Sequence, residues 1–387
     1  MSECQDMGNS IGRRPTEEVP VVCIVYNRAR LVRKLIDRLR QIKPSLVLVV
    51  ADGPKCGDTA DTTACAQVRA EISRIDWACT LHLEYAESNM GCSKRVVSGL
   101  NWAFSLVDRA IILEDDIDAD PRFFDWAARM LVAYEQRDDV AMLCGHNPLV
   151  WWPNVTPNTA GIVSRRGGVH GWATWRSKWR AIQNFPINEL SVETDYDVIG
   201  HDFEPSLAAL LGFYLEGAKS GLSLEWDINW TLRMALSGRC AIVSPVNLVH
   251  NLGLGPDATH HKEGDDMLFF LPRGSVPSTF SLESLLFPSK QILLQEKSYD
   301  QTYDRARVLL ELMVRARDPA TARRLAQCHV IPLPSDFRLH LLPFRKIDEM
   351  QHWIEHLANA GVDERAIERW RIALGSASHL HPTGVSD

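Results

Sequence analysis

Two uninterrupted apolar runs with an amphipathic segment between them constrain this chain more than any other feature. Residues 20–25 and 45–50 are rich in Val, Ile and Leu and have strand length, while Leu31, Leu35, Ile36, Leu39 and Ile42 recur between them at helical spacing. A strand that is apolar at every position is buried on both faces, which implies a parallel sheet with helices on either side. Strand, helix and strand in that order form a right-handed βαβ unit. An α/β fold of the Rossmann-like type is therefore expected.

The alternation continues. A helix is predicted over 63–75, a strand over 80–85, and a helix over 92–107 with Val96, Val97, Leu100, Phe104 and Val107 inward. Ile111, Ile112 and Leu113 then form a fourth strand, followed by a helix over 123–134 and a strand over 140–144. Aromatic and glycine-rich loops reach to about residue 185, with helices around 202–216 and 226–237. From about residue 280 helical periodicity takes over, at 303–317, 320–327, 348–360 and 364–374. The expected organisation is a mobile leader at 1–18, an α/β domain at 19–279 and a helical C-terminal region at 280–387.

The fourth strand runs directly into Glu114, Asp115, Asp116, Asp118 and Asp120. Like charges crowded at one strand end repel unless a cation or proton compensates, and hard oxygen ligands suit Mg2+ or Mn2+. Asp120 followed by Pro121 also reads as the N-cap and first position of the next helix, so the cluster divides between capping and binding. The first strand ends at Tyr26-Asn27-Arg28 and the second at Asp52-Gly53-Pro54. In open α/β sheets ligands collect beyond the carboxyl ends of the strands, and Asp52 suits the base or ribose of a nucleotide, although an Asp-Gly turn alone would explain it. Gly91, Lys94 and Arg95 open a helix where backbone N–H groups and basic side chains suit a diphosphate.

Several functions are excluded by bulk properties. A net charge of -7 gives no general affinity for nucleic acid. No apolar run approaches the roughly 20 residues that span a bilayer. The nine cysteines are scattered without paired metal-ligand spacing and read as reduced thiols. The expected location is the cytoplasm, with the inner membrane face within reach of the arginines of the C-terminal helices.

Taken in order, Tyr26-Asn27, Asp52-Gly53, the segment Glu87-Ser88-Asn89-Met90-Gly91-Cys92-Ser93-Lys94-Arg95, and Leu113-Glu114-Asp115-Asp116 with Pro121-Arg122-Phe123-Phe124 resemble the GT-A fold glycosyltransferases. The likeness is to bacterial family 2-type transferases and the related inverting N-acetylglucosaminyltransferase I family. It continues through Gly171-Trp172-Ala173-Thr174-Trp175, Trp226-Asp227-Ile228-Asn229-Trp230 and the segment 245–260, and so covers about residues 19–262. The resemblance implies a nucleotide-sugar half at 19–120 and an acceptor half at 121–279. It implies Asp116 as direct metal ligand, Glu114 and Asp115 beside the ribose or a water in the metal's outer shell, and Asp52 at the base. Tyr26, Asn27, Asn89, Gly91, Lys94 and Arg95 would complete the donor site. Inverting transfer needs a general base opposite the leaving group. Asp227 is the first candidate and Glu225 the second, although the eukaryotic relatives carry two adjacent acids where this chain has Trp-Asp-Ile-Asn-Trp.

Most tryptophans read as core; Trp172, beside Gly171, is the one assigned to sugar stacking. Among His250, His260 and His261, His260 is the candidate late metal ligand, and Gly253 and Gly255 suggest a loop that orders over the donor. The resulting expectation is a metal-dependent inverting glycosyltransferase that moves a sugar from a nucleotide diphospho-sugar, a UDP-sugar by first choice, to a glycan or glycolipid acceptor. A sugar-1-phosphate nucleotidyltransferase would need a glycine-rich loop after the first strand, where Tyr26-Asn27-Arg28-Ala29-Arg30 has none. A non-catalytic nucleotide-sugar sensor would keep Asp116 and need no base.

Overall fold

The computed structural model describes residues 18–147, 156, 158–165, 167–187, 225–253 and 284–286. Eleven strands and six helices are described. In chain order they are β1 (Val21–Val25), α1 (Ala29–Ile42), β2 (Leu46–Ala51), α2 (Thr59–Ile72), β3 (Thr80–Tyr85), α3 (Cys92–Leu106), β4 (Arg109–Glu114) and β5 (Ile117–Ala119). There follow α4 (Pro121–Ala133), β6 (Val140–Cys144), β7 (Gly161–Ser164), β8 (Trp172–Trp175), α5 (Arg176–Gln183), α6 (Trp226–Leu236), β9 (Cys240–Val243), β10 (Val249–Asn251) and β11 (Leu285–Leu286).

Nine strands form one mixed, mainly parallel sheet in the order β11-β7-β9-β6-β8-β4-β1-β2-β3. β1 pairs in parallel with β2 on one side and β4 on the other. The chain therefore steps outward from β1 to β3 and returns through α3 to place β4 on the opposite flank. That reversal beside β1 is a topological switch point, where a crevice opens beyond the strand ends. β8 runs antiparallel between β4 and β6 and joins the two halves into a single sheet.

The predicted double burial is present. Val21, Cys23 and Val25 of β1 pack into a core with α1, α2 and α4, whereas Val22 and Ile24 pack into the other core with α3, α5 and α6. α3 lies so close to the sheet that a Cβ on Gly99 would fall 2.2 Å from Val50 Cγ1. On the far half, Trp172, Trp179, Trp226 and Trp230 pack ring against ring with centroids 5.1–6.4 Å apart.

Several boundaries move. α2 begins at Thr59, because Asp58 accepts from the Asp61 N–H at 2.9 Å and caps it there. β11 pairs with β7 at Leu285↔Gly161, so the sheet draws on chain just beyond residue 280, where the helical C-terminal region was expected to begin. The helix predicted over 202–216, the leader and the C-terminal helices lie outside the described residues. Among the described residues no helix is long and apolar enough to cross a membrane, and every described cysteine is a free thiol.

Candidate active site

The crest beyond β1, β2 and β4 carries a dense set of ionisable side chains, with Arg28 at its centre. Arg28 leaves β1 and pairs with Asp115, and its Nη2 also lies 2.9 Å from Asp116 Oδ2. Asp115 and Asp116 are 4% and 9% exposed, so the guanidinium is the counter-charge that makes their burial tolerable. Burial opposes the charge on Arg28, but Asp115 and Asp116 outweigh it and hold the guanidinium above its usual range. Asp115 is pushed up to about 6, first by burial, against the pull of Arg28. Glu114 is pushed up to about 8, first by burial of its carboxyl group and then by Asp116 and Asp115.

Asp116 is enclosed from the far side as well. Its carbonyl accepts from Leu252 N at 2.7 Å, and β10 pairs antiparallel with β5, placing His250 opposite Asp118. Gly253 reaches the carboxylate so closely that a Cβ there would lie 2.3 Å from Asp116 Oδ2. The acidic run divides as anticipated at its other end: Asp120 caps α4 through Arg122 N at 2.9 Å, with Pro121 at the first position. Asp118 pairs with Arg38 of α1 at 3.0 Å.

Asp52, 5% exposed, accepts from Gly53 N, Met90 N and Asn89 Nδ2 at 2.8, 2.9 and 3.0 Å. It ties the loop before α3 to the end of β2, which brings Asn89 and Gly91 to the crest. Lys94 is exposed in the first turn of α3. Arg95 is different: it is 3% exposed and its Nη2 donates to the carbonyl and carboxylate of Glu84 on β3. It lies on the buried face of α3 beside Val96 and is committed to the sheet, away from the role of diphosphate ligand. Trp172 is likewise corrected from a stacking surface to core, since it is fully buried among three other tryptophans with its Nε1 unpartnered. Gly171 accepts from Gly145 N at 2.9 Å and joins β8 to β6 at the crest.

Asp227 stands in the first turn of α6, half-buried, with Glu225 exposed at the N-cap. Ser93 joins this helix to α3: its Oγ donates to Glu225 Oε2 at 2.8 Å and accepts from Trp226 N at 3.1 Å. Cys92 reports what gathers here. Although Cys92 is exposed at the start of α3, desolvation by the surrounding protein, followed by the charges of Glu114, Glu225, Asp227 and Asp116, raises its thiol above the usual range. Asp227 also raises Glu114. Segments more than a hundred residues apart thus bring their acidic side chains to one end of the sheet. Sequence reasoning did not assign Arg28 a partner and passed over Asp61, Cys92 and Ser93. The capping pattern at Asp58 was the available signal for Asp61.

Among the described residues no three His, Cys, Asp or Glu side chains converge tightly enough to hold a metal by themselves. His260 lies outside the described residues. The donor set is nevertheless hard carboxylate oxygen, and Mg2+ is commonly held by one or two carboxylates together with substrate phosphates. The residues present fit a cation shared with an anionic ligand better than one caged by protein alone. Compared with protein-family models and with curated proteins, the chain matches none.

Proposed function

We propose that this chain is a GT-A type, metal-dependent inverting glycosyltransferase that uses a nucleotide diphospho-sugar. One juxtaposition carries the reading. A switch-point crest holds the Arg28–Asp115–Asp116 group, and Ser93 of α3 ties down the N-terminus of α6, which carries Glu225 and Asp227, on the same side of the sheet as Glu114. A carboxylate-rich donor side and a separate carboxylate on a neighbouring element suit inverting transfer, which needs a general base apart from the leaving group.

In this reading Asp52 and the loop it anchors hold the nucleoside, and Glu114 and Asp115 lie against the ribose. Asp116, with the donor's diphosphate, would hold Mn2+ or Mg2+, which when bound neutralises charge on the departing nucleoside diphosphate. Lys94 adds positive charge at the same helix end. The bond between the anomeric carbon and the phosphate oxygen breaks as the acceptor oxygen bonds to that carbon. Asp227 takes the acceptor hydroxyl proton, with Glu225 as the alternative base. A hexosyl or N-acetylhexosaminyl donor, preferably UDP-linked, and a glycan or glycolipid acceptor in cell-surface polysaccharide or glycoconjugate synthesis follow from the resemblance. Cytoplasmic location, with contact at the inner membrane face, belongs to the same proposal.

The test is donor hydrolysis across a panel of nucleotide sugars with Mn2+. Wild type is expected to hydrolyse at least one donor, and Asp116→Ala to abolish it. Asp227→Asn should lose transfer while retaining donor binding, and unchanged turnover would remove Asp227 from the base role. No hydrolysis of any donor by the wild type would sink the proposal.

A further inference from the structure

Tyr26 and Asn27 follow β1 at the crest, yet their polar ends are turned toward protein. Tyr26 Oη donates to Asp61 Oδ2 at 2.5 Å, and Asn27 Nδ2 donates to Asp61 Oδ1 at 2.7 Å. Asp61 accepts a third bond from Lys55 N at 2.7 Å, while its own N–H is held by the N-cap Asp58. Asp61 as a residue is 7% exposed and stands in the first turn of α2, where the positive helix end favours an anion. Burial works against its charge, but the Tyr26 hydroxyl, the Lys55 amide and the Asn27 amide overcome this and hold it below the usual carboxylate range.

A residue from the crossover between β2 and β3 thus fixes two side chains at the end of β1. We propose that Asp61 is a positioning residue: by locking the Tyr26 ring and the Asn27 amide into one arrangement, it shapes the platform that selects the nucleoside base. This rests on the nucleotide-sugar reading above. Freely rotating Tyr and Asn side chains would adapt to any base and lose rotamer freedom on binding. Side chains locked beforehand present one shape and lose less. Two carboxylate oxygens shared among three donors leave little latitude for either side chain.

The experiment is calorimetric titration of the full chain with UDP, GDP, CDP and ADP in the presence of Mn2+. Wild type should prefer one of the four by at least about tenfold. Asp61→Asn keeps an oxygen for Tyr26 and Lys55, and Asn27 can turn its amide over to meet the new NH2; its preference should stay within about threefold of wild type. Asp61→Ala should erase most of the preference while its circular dichroism remains that of wild type. Where Asp61→Ala does not fold, Tyr26→Phe, which deletes a single bond, must by itself reduce the preference. A folded Asp61→Ala or Tyr26→Phe with wild-type preference overturns the inference, as does a wild type that binds all four nucleotides equally. A wild type that binds none overturns the glycosyltransferase reading together with it.

Discussion

Deleting the Arg28 guanidinium would leave Asp115 and Asp116 buried without their counter-charge. Breaking one side of such a group typically costs about 3 kcal/mol, so Arg28→Gln should lose stability of that order in denaturant unfolding. Added Mn2+ should then restore more stability to the variant than to wild type, because a divalent cation supplies the missing charge. An equal Mn2+ response in both proteins would mean that Arg28 and the cation do not share the site. The carboxylates of this cluster were legible in the sequence because they are contiguous and follow an apolar strand. Arg28 and Asp61 were not, since their roles depend on partners 87 and 35 residues away. Arg95 was misjudged for a physical reason. Helix position alone suggested a phosphate ligand, but Arg95 shares its face with Val96, Gly99 and Leu100, which packs against the sheet.

At the scale of elements, two contacts determine how the helices sit on the sheet. A methyl group at Gly99 would drive α3 away from Val50, so Gly99→Ala should cost about 1–3 kcal/mol, and adding Val50→Ala should recover part of it in equilibrium unfolding. On the other face, Glu71 of α2 accepts from Arg33 of α1 and from Arg74, and first Arg33 and then Arg74 hold its carboxyl down to about 2. A carboxyl depressed below its usual value near 4.3 stabilises the fold above that pH and loses the contribution as pH falls toward 2. The stability gap between wild type and Glu71→Gln should accordingly be flat above about pH 5 and close on acidification. A gap that persists at pH 2 would point to packing as the source. Helix starts were harder to place than helix faces: the apolar periodicity of α1 fixes which side is buried, while the first turn of α2 is set by the Asp58 cap, which carries no apolar signal.

For the molecule as a whole, the sheet is expected to open from its β3 edge. β1 is buried at every position, whereas β3 is largely exposed, so β3 amides should exchange with deuterium well before those of β1 and β4. Simultaneous exchange across these strands would indicate a single global opening. Three of the four parallel strands, β1, β2 and β4, were readable from apolar runs alone. The antiparallel insertion of β8 was not, because four residues are too few to show a strand period, even with the strand-favouring Trp172, Thr174 and Trp175, and nothing local announces their seat between β4 and β6.

That insertion bears on how the protein is made. β4 acquires its second neighbour only from residues 172–175. A nascent or truncated chain ending near residue 120 would expose the unpaired edge of a strand built from Ile111, Ile112 and Leu113, an invitation to self-association. A piece ending near residue 120 is therefore expected to self-associate when expressed alone, and a ribosome must deliver more than fifty further residues before the edge of β4 is sealed.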